Sequence, residues 1–308
     1  MNKLTPLARN SLIVAFFFFI NKVLALVETM IVSRIYSDQV ELLDTFNAAN
    51  NLPDLLFALI SGGALAMAFI PLLTEYLTTK SREAAWDLFS RVANFGFLIT
   101  GVFALLVAIF AQQIVDSEIG IAPGFGEEQR ILLAQLMRMN LIATMIFSIS
   151  GLVMASLQAN QHFVMPAIAP IMYNVGHIFG AIFLVPRYGI YGLVYGVIIG
   201  AALHLLVQFP MLFKFGFRWT PALDIRHTGL IEALKLMAPR LFTMAGIQLI
   251  FIARDNLASR LDQVGAVTSL TYGWMIMQVP ETILGTALAT ALLPTLSELA
   301  SKQDWKKF

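Results

Sequence analysis

The chain has 308 residues, of which 58% are hydrophobic and only 13% are charged, and its formal net charge is +1. Soluble domains are about half apolar and about a quarter charged, so this composition excludes an ordinary soluble domain. The sequence contains no cysteine, which excludes disulfides, thiolate catalysis and cysteine metal sites. No run of Lys and Arg is long enough to indicate a nucleic-acid partner.

Long uninterrupted apolar blocks predict an all-α polytopic membrane protein with about eight spans, at ~20 residues for each span. The blocks do not alternate between apolar and polar residues, as the strands of a membrane β-barrel would. The predicted spans lie near 10–36, 45–77, 86–112, 131–157, 163–185, 189–213, 231–259 and 266–299. The first block is not expected to be a cleaved signal peptide, because no small-x-small site follows it and it continues through Lys22 and Glu28.

The basic residues predict the orientation, since Lys and Arg favour cytoplasmic loops. With a cytoplasmic N-terminus, the cytoplasmic side holds Lys3, Arg9, Lys80, Arg82, Arg91, Lys214, Arg218, Arg226, Lys302, Lys306 and Lys307. The opposite side holds Arg34, Arg130, Arg187, Arg260 and the acidic loop "DSEIGIAPGFGEE" at 116–128. An N-terminus inside is therefore expected.

Spans 1 and 2 are repeated in spans 7 and 8. The phrase "ALAMAFIPLLTEYL" at 64–77 recurs as "ALATALLPTLSELA" at 287–300, "VSR" at 32–34 as "ASR" at 258–260, and "LPD" at 52–54 as "VPE" at 279–281. Parallel repeats build two lobes around a central cavity in transporters. We expect residues 1–220 to form a six-helix lobe and 221–308 to begin a second lobe that is incomplete, as in a truncated or split product.

The same phrases, "NNLPDLLFALISGGALAMAFIPLLTEY" and "QVPETILGTALATALLPTLSELA", resemble helices 2 and 8 of the MurJ/MviN family of lipid II flippases, in the MOP exporter superfamily. This resemblance covers essentially the whole chain. It implies a bacterial inner-membrane protein that turns a polyprenyl-pyrophosphate-linked peptidoglycan precursor to the outer leaflet. The family fold has fourteen helices in two lobes around a cationic cavity.

The chain departs from the family where pyrophosphate-binding arginines are expected. The family's S-R-x-x-G-x-x-R-D is replaced by "NKVLALVET", which keeps Lys22 but has Glu28 in place of the second Arg. Asn51 replaces the Arg of R-L-P-N, and "GWMIMQVP" lacks the Asp-Arg pair of A-D-R-x-x-Q-L-P. Fewer cations should weaken pyrophosphate binding, unless the substrate differs or other cations substitute.

The remaining polar residues of the spans are the candidate substrate-binding residues, since ionisable groups within a membrane usually face a wet interior. Asn47, Asn50, Asn51 and Asp54 share one face of span 2. Lys22 and Arg240 are the candidate phosphate anchors, although both could instead reach an interface. Single histidines, His177 and His204, are expected to pack or to hydrogen-bond.

Two pairs have a predicted role in the transport cycle. The repeat places Glu28 and Arg254 at equivalent positions, about 9 Å inward of the two Ser-Arg landmarks at ~1.5 Å per residue. We expect them to pair when the outer side is closed, although Arg254 could instead bind Asp255. Asp54 and Glu281, each after a proline, are candidate sites for a coupling cation.

No enzyme motif is present, and no His or carboxylate pair has metal-ligand spacing. The preferred function is a lipid II flippase that needs no cofactor and is coupled to Na⁺, H⁺ or the membrane potential. Its expected partners are the lipid-linked oligosaccharide, membrane lipids and the cell-wall synthesis machinery. The alternatives are a MATE-like cation-coupled exporter of small amphiphiles and a non-transporting membrane scaffold.

Overall fold

The computed structural model describes residues 6–61, 64–224, 226–278 and 280 of the chain, with side chains from residue 16 onward except at 60–67. These residues are mostly helical, and no strand occurs among them. The helices are α1 (Pro6–Ile35), α2 (Val40–Ala49), α3 (Asn51–Leu56), α4 (Ala64–Thr79), α5 (Arg82–Asp116), α6 (Glu127–Ala159), α7 (Val164–Phe179), α8 (Val185–Tyr188), α9 (Tyr191–Lys214) and α10 (Thr228–Ser259). A further helix, α11, begins at residue 266 and is described as far as 278. The predicted all-α class is confirmed.

Within the described ranges, 6 helical segments are long and apolar enough to cross a bilayer. They correspond to predicted spans 1, 3, 4, 5, 6 and 7. Span 8 begins as α11, but Glu281 and the second copy of the long repeated phrase lie outside the described residues. Six of the about eight predicted spans therefore correspond to single long helical segments, and the total of eight is approximate.

Span 2 differs from the single helix expected over 45–77. It begins earlier, at Val40, and is divided into α2, α3, a π-helical turn at Phe57–Ser61 and α4. The first division has a direct cause in Pro53, which has no N–H to donate to the carbonyl of Ala49 and whose ring crowds that carbonyl. Helix α2 accordingly ends at Ala49, and continuity of apolar residues alone could not reveal this break.

The loops fall at two ends of the helical bundle. We call the end formed by 36–39, 117–126 and 260–265 the outer end, after the predicted side, and the end formed by 80–81, 160–163 and 215–227 the inner end. One apolar core lies towards the outer end and includes Leu43, Leu133 and Leu193. A second core lies towards the inner end and includes Leu73, Leu88 and Leu212.

Helices α7 and α9 pack closely because glycines meet at their crossing. A Cβ added to Gly196 would lie 2.9 Å from the Cα of Gly180, and one added to Gly176 would clash with the backbone of Gly200. Small residues let helix backbones approach within membranes. The glycines at 192, 196 and 200 therefore allow the backbone of α9 to lie close to the preceding helix.

Candidate functional site

The carboxylate of Asp44, on α2, binds the first turn of α11. Its two oxygens accept hydrogen bonds from the backbone N–H groups of Gly265, at 2.8 Å, and Thr268, at 2.7 Å. The first N–H groups of a helix have no partner within the helix, and the helix dipole favours a negative charge there. Asp44 is 4% exposed, so this contact is shielded from water.

Two asparagines of the predicted polar face continue this contact. Asn47 donates to the hydroxyl of Thr268 at 3.1 Å, and Asn51 donates to Asp255 of α10 at 2.7 Å. Asp255 is 1% exposed, and its other oxygen accepts from Arg254 at 2.7 Å. Arg254 balances the negative charge of Asp255, so the neutral amide of Asn51 can bind the second carboxylate oxygen without a further positive charge.

The acidic loop between α5 and α6 reaches the C-terminal end of α10. Asn256 donates to the carbonyl oxygens of Glu118 and Gly120, at 3.0 Å and 2.6 Å. Arg260 forms an ion pair with the carboxylate of Glu118 at 3.0 Å. We call the contacts of Asp44, Asn47, Asn51 and this loop with α10 and α11 the outer seal.

Asn50, the third predicted asparagine, points elsewhere. Its Oδ1 accepts a hydrogen bond from Asn140 of α6 at 2.8 Å, and its amide donates to the carbonyl oxygen of Phe46 at 3.1 Å. This contact lies within the first six predicted spans. Although Asn47, Asn50 and Asn51 share a helix face in the sequence, the structure thus separates Asn50 from the outer seal.

Glu28 and Arg254 are not paired with each other in this structure. Glu28 lies 3.0 Å from Nδ1 of His177 on α7, and both side chains are largely buried. Arg254 binds Asp255 and also donates to the hydroxyl of Thr271 at 3.1 Å. The replacement of a family arginine by Glu28 therefore has a local partner in His177. The outer seal is closed here without the Glu28–Arg254 pair, which stays a prediction for the inward-open state.

The remaining candidates do not join the outer seal. Lys22, Asp54 and Arg240 are all exposed side chains on α1, α3 and α10. Glu281, the proposed equivalent of Asp54, lies outside the described residues. Lys22 and Arg240, the predicted phosphate anchors, thus take no part in the outer seal.

At the inner end, α10 packs against the first spans through apolar residues. Leu230 and Ala233 are buried in the inner core with Leu73 and Leu88. Gly229 faces the hydroxyl of Tyr76 so closely that an added Cβ would lie 2.5 Å from it. Helix α10 is therefore held at both ends, by polar contacts at the outer end and by apolar packing at the inner end.

Sequence reasoning missed Asp44 and Thr268, and it did not foresee that His177 meets Glu28 or that Asp255 meets Asn51. Asp44 precedes Asn47 by three residues and Asn51 by seven, so the helical spacing that revealed the asparagines also included it. The partners belong to distant helices, and no periodicity within one helix could identify them.

These features define a class of protein: a polytopic α-helical membrane protein whose first spans are joined to a seventh and an eighth by a polar contact at one end. A family model described as "Lipid II flippase MurJ" matches residues 40–308. The chain belongs to this family of lipid II flippases. Family and apolar helices together indicate a multi-pass protein of the bacterial inner membrane.

Similar proteins agree with this membership. The chain is 31% identical over 302 residues to "Lipid II flippase MurJ" of Burkholderia cenocepacia, covering 95% of this chain and 57% of that protein. It is 29% identical over 302 residues to "Probable lipid II flippase MurJ" of Buchnera aphidicola, covering 97% of this chain and 57% of that protein. The chain thus spans little more than half the length of these relatives.

A solved structure described as "Lipid II flippase MurJ, inward closed conformation" has the same fold. Its TM-score is 0.76, with 23% sequence identity, and the match covers 96% of this chain and 60% of that chain. The fold of this chain is therefore that of the corresponding part of a MurJ structure.

Proposed function

We propose that this chain takes part in flipping lipid II across the bacterial inner membrane by alternating access, as a transporter and not as an enzyme. Family membership supports the substrate. The single observation that supports the mechanism is the outer seal, which joins the first six spans to α10 and α11 through hydrogen bonds. In this proposal, residues 1–220 form one lobe, 221–308 begin the second, and the N-terminus is cytoplasmic.

The polar character of the outer seal suits a contact that opens. Hydrogen bonds to charged groups contribute about 1.5–3 kcal/mol each, because water replaces the lost partners when they separate. Separating an apolar contact instead exposes surface at about 25 cal/mol per Å² without such replacement. The outer end would therefore open at a moderate free-energy cost, whereas the apolar packing of α10 at the inner end resists separation in water.

The head group is proposed to bind Lys22 and Arg240, which are exposed and take no part in the outer seal. Asn47 and Asn51 would become donors for sugar or phosphate oxygens once the outer seal separates, and Asn50 would support them from its contact with α6. Replacing Lys22 and Arg240 together by alanine should abolish flipping while the protein remains in the membrane. Retained flipping would remove both residues from the proposed site.

Glu28 and Arg254 are proposed to exchange partners during the cycle. Each is bound to a different residue here, and an exchange would break the His177 and Asp255 contacts as the new pair forms. Glu28→Arg should impair flipping, and adding Arg254→Glu should restore it. A double variant that is present at normal levels but shows no recovery would contradict the exchange.

Coupling to a cation is proposed at Asp54, with Glu281 as its counterpart in the second lobe. The exposed carboxylate of Asp54 follows Pro53, whose ring leaves a backbone carbonyl without its helical partner. Asp54→Asn combined with Glu281→Gln should change the dependence of flipping on Na⁺, H⁺ or membrane potential. Unchanged ion dependence would exclude these carboxylates.

The function itself is tested by lipid II accessibility at the outer leaflet. The 308-residue chain is expressed in bacteria depleted of their own flippase, alone and together with the remaining half of the Burkholderia cenocepacia relative. We expect lipid II to reach the outer leaflet in at least one of the two cases, and the Lys22 and Arg240 double variant is the control. No exposure of lipid II in either case would contradict the proposal.

A further inference from the structure

A groove of 440 Å³ runs along the surface of α5, beside the segment that links α9 to α10. Its volume lies within the range of small-molecule sites, about 300–1,000 Å³. Except for one asparagine, its walls carry apolar side chains. The lining residues are Asn94, Phe97, Leu98, Gly101, Val102, Leu105, Trp219, Pro221 and Leu223.

Asn94 fastens the linking segment to α5 and satisfies its backbone. The Asn94 amide donates to the carbonyl oxygens of Thr220 and Ala222, at 2.9 Å and 3.0 Å, and its Oδ1 accepts from Trp219 at 2.9 Å. The N–H of Thr220 donates to the hydroxyl of Ser90 at 3.2 Å. Irregular backbone is tolerated at membrane depth only when its polar groups are satisfied in this way.

The position of Asn94 along α5 matches the edge of the hydrocarbon layer. The helix continues from Asn94 to Asp116, which is about 33 Å at 1.5 Å per residue and close to the ~30 Å hydrocarbon thickness. The groove itself extends from Asn94 to Leu105, about 16 Å, which is the depth of one leaflet. Trp219, at the mouth, has the place that tryptophan favours at a membrane interface.

The surroundings of the mouth are basic. Arg218 and Arg226 are exposed on the linking segment. The nearby carboxylates of Asp87 and Asp224 both lie against Arg91, at 2.7 Å and 3.7 Å, and that of Glu83 lies near Arg82 and Arg218. Four arginines thus accompany three carboxylates, which leaves the mouth with a positive charge. Each exposed Lys or Arg near a membrane surface attracts anionic lipid by about 1 kcal/mol, so the mouth favours a negatively charged head group.

We propose that this groove binds one acyl chain of an anionic phospholipid from the leaflet at the inner end, with the phosphate held by Arg218 and Arg226. This site is separate from the route of lipid II and does not depend on the proposed function. All of its residues belong to the first six predicted spans and the linking segment. A bound phospholipid would fasten that segment, which joins the two proposed lobes, to α5.

The test uses the fluorescence of Trp219 in vesicles of phosphatidylcholine that contain dibrominated phosphatidylglycerol, since bromine quenches nearby tryptophan. The Trp219→Phe protein gives the contribution of the other tryptophans, which is subtracted. Quenching of Trp219 by dibrominated phosphatidylglycerol is compared with quenching by the same fraction of dibrominated phosphatidylcholine. We expect phosphatidylglycerol to be preferred at Trp219 by about fivefold or more, which corresponds to about 1 kcal/mol. Arg218→Gln with Arg226→Gln should reduce this ratio towards one.

A second variant tests the groove itself. Leu98→Phe with Val102→Phe fills it, and Leu106→Phe with Ile109→Phe places the same kind of added bulk on exposed positions of α5 outside it. Only the first pair should lose the preference, and native mass spectrometry should show one phospholipid fewer retained. Equal quenching by the two lipids in the unchanged protein would overturn the proposal. So would a groove covered by a second copy, detected as a dimer that excludes lipid from Trp219.

Discussion

Asp44 connects the first spans to α11 through two hydrogen bonds, and its removal should therefore loosen the outer seal. Asp44→Ala leaves the N–H groups of Gly265 and Thr268 without their acceptor, at about 1–3 kcal/mol for each buried group. The chain has no cysteine, so Ala258→Cys, buried at the same end, serves as a reporter. We expect maleimide labelling to rise about tenfold or more, since 1.4 kcal/mol is a factor of ten.

The matched control is Asp38→Ala, which removes an exposed carboxylate from the same end of the bundle. It should leave the labelling rate of the reporter thiol unchanged. If Asp44→Ala also left that rate unchanged, Asp44 would not hold the outer seal closed.

His162 should make the stability of the protein depend on pH. It lies in the loop between α6 and α7, where burial lowers its pKa below the ordinary 6.5, and nearby Lys214 lowers it further. The unfolded chain therefore binds the proton more tightly than the folded protein. This contribution to stability is complete above pH 6.5 and is lost as the pH falls through 6.5 towards the lower folded pKa.

Thermal unfolding in detergent from about pH 8 to about pH 5 measures this effect, since the range spans the titration of histidine. His162→Gln should remove part of the fall in the unfolding midpoint at acidic pH. Lys214→Gln should make that fall smaller, because it removes one of the two causes that lower the pKa of His162. Identical pH profiles for the unchanged protein and the His162 variant would contradict this assignment.

Individual side chains show which contacts could be predicted from the sequence alone. Helical spacing identified Asn47 and Asn51 as special, because polar residues on an apolar helix are costly unless they find partners. It could not name Asp255 or Thr268 as those partners, since both lie on helices far along the chain. The simpler alternative for Arg254, a bond to its neighbour Asp255, is the contact found.

At the scale of helices, the crossing of α7 and α9 should tolerate no added side chain. Gly196→Ala would place a methyl group 2.9 Å from the Cα of Gly180, and overpacking of this kind costs about 1–3 kcal/mol. Gly246→Ala on α10 is the control, because an added Cβ there meets nothing within 4 Å. Alanine also favours a helix over glycine by about 1 kcal/mol, so the control should be neutral or stabilising.

The midpoint of thermal unfolding in detergent measures both variants. We expect it to fall for the Gly196 variant and to stay level or rise for the Gly246 variant. A Gly196 variant as stable as the unchanged protein would show that α7 and α9 can separate without loss.

Helix positions were more predictable than helix continuity. Six spans follow from apolar length, since a bilayer sets the number of residues that must be apolar. The division of span 2 follows from Pro53 and from partners outside the helix, because Asn50 and Asn51, on either side of the bend, face α6 and α10 respectively. Apolar length carries no information about where such a helix bends.

At the scale of the whole molecule, the structure brings the two copies of the sequence repeat into contact. α1 and α10 each end just before a short turn that leads into a further helix, α2 and α11, and a proline follows each helix start after a similar number of residues, at Pro53 and Pro280. The outer seal joins these two halves of the repeat, since Asp44 of the first copy binds the beginning of α11 in the second. A covalent link between the two halves tests whether the proposed flipping requires them to separate.

A reversible cross-link between cysteines at positions 47 and 268 should stop the proposed flipping. The side chains of Asn47 and Thr268 meet at 3.1 Å across the outer seal, and the chain has no other cysteine to compete. When a short bis-methanethiosulfonate reagent joins the two thiols, Asn47→Cys with Thr268→Cys should lose lipid II exposure, and a reductant should restore the level seen before cross-linking. Thr45→Cys with Gln129→Cys is the matched control, because that 3.5 Å contact between α2 and α6 lies within the first six spans and need not open. Flipping that continues with the 47–268 cross-link fully formed would show that the outer seal remains closed throughout the cycle.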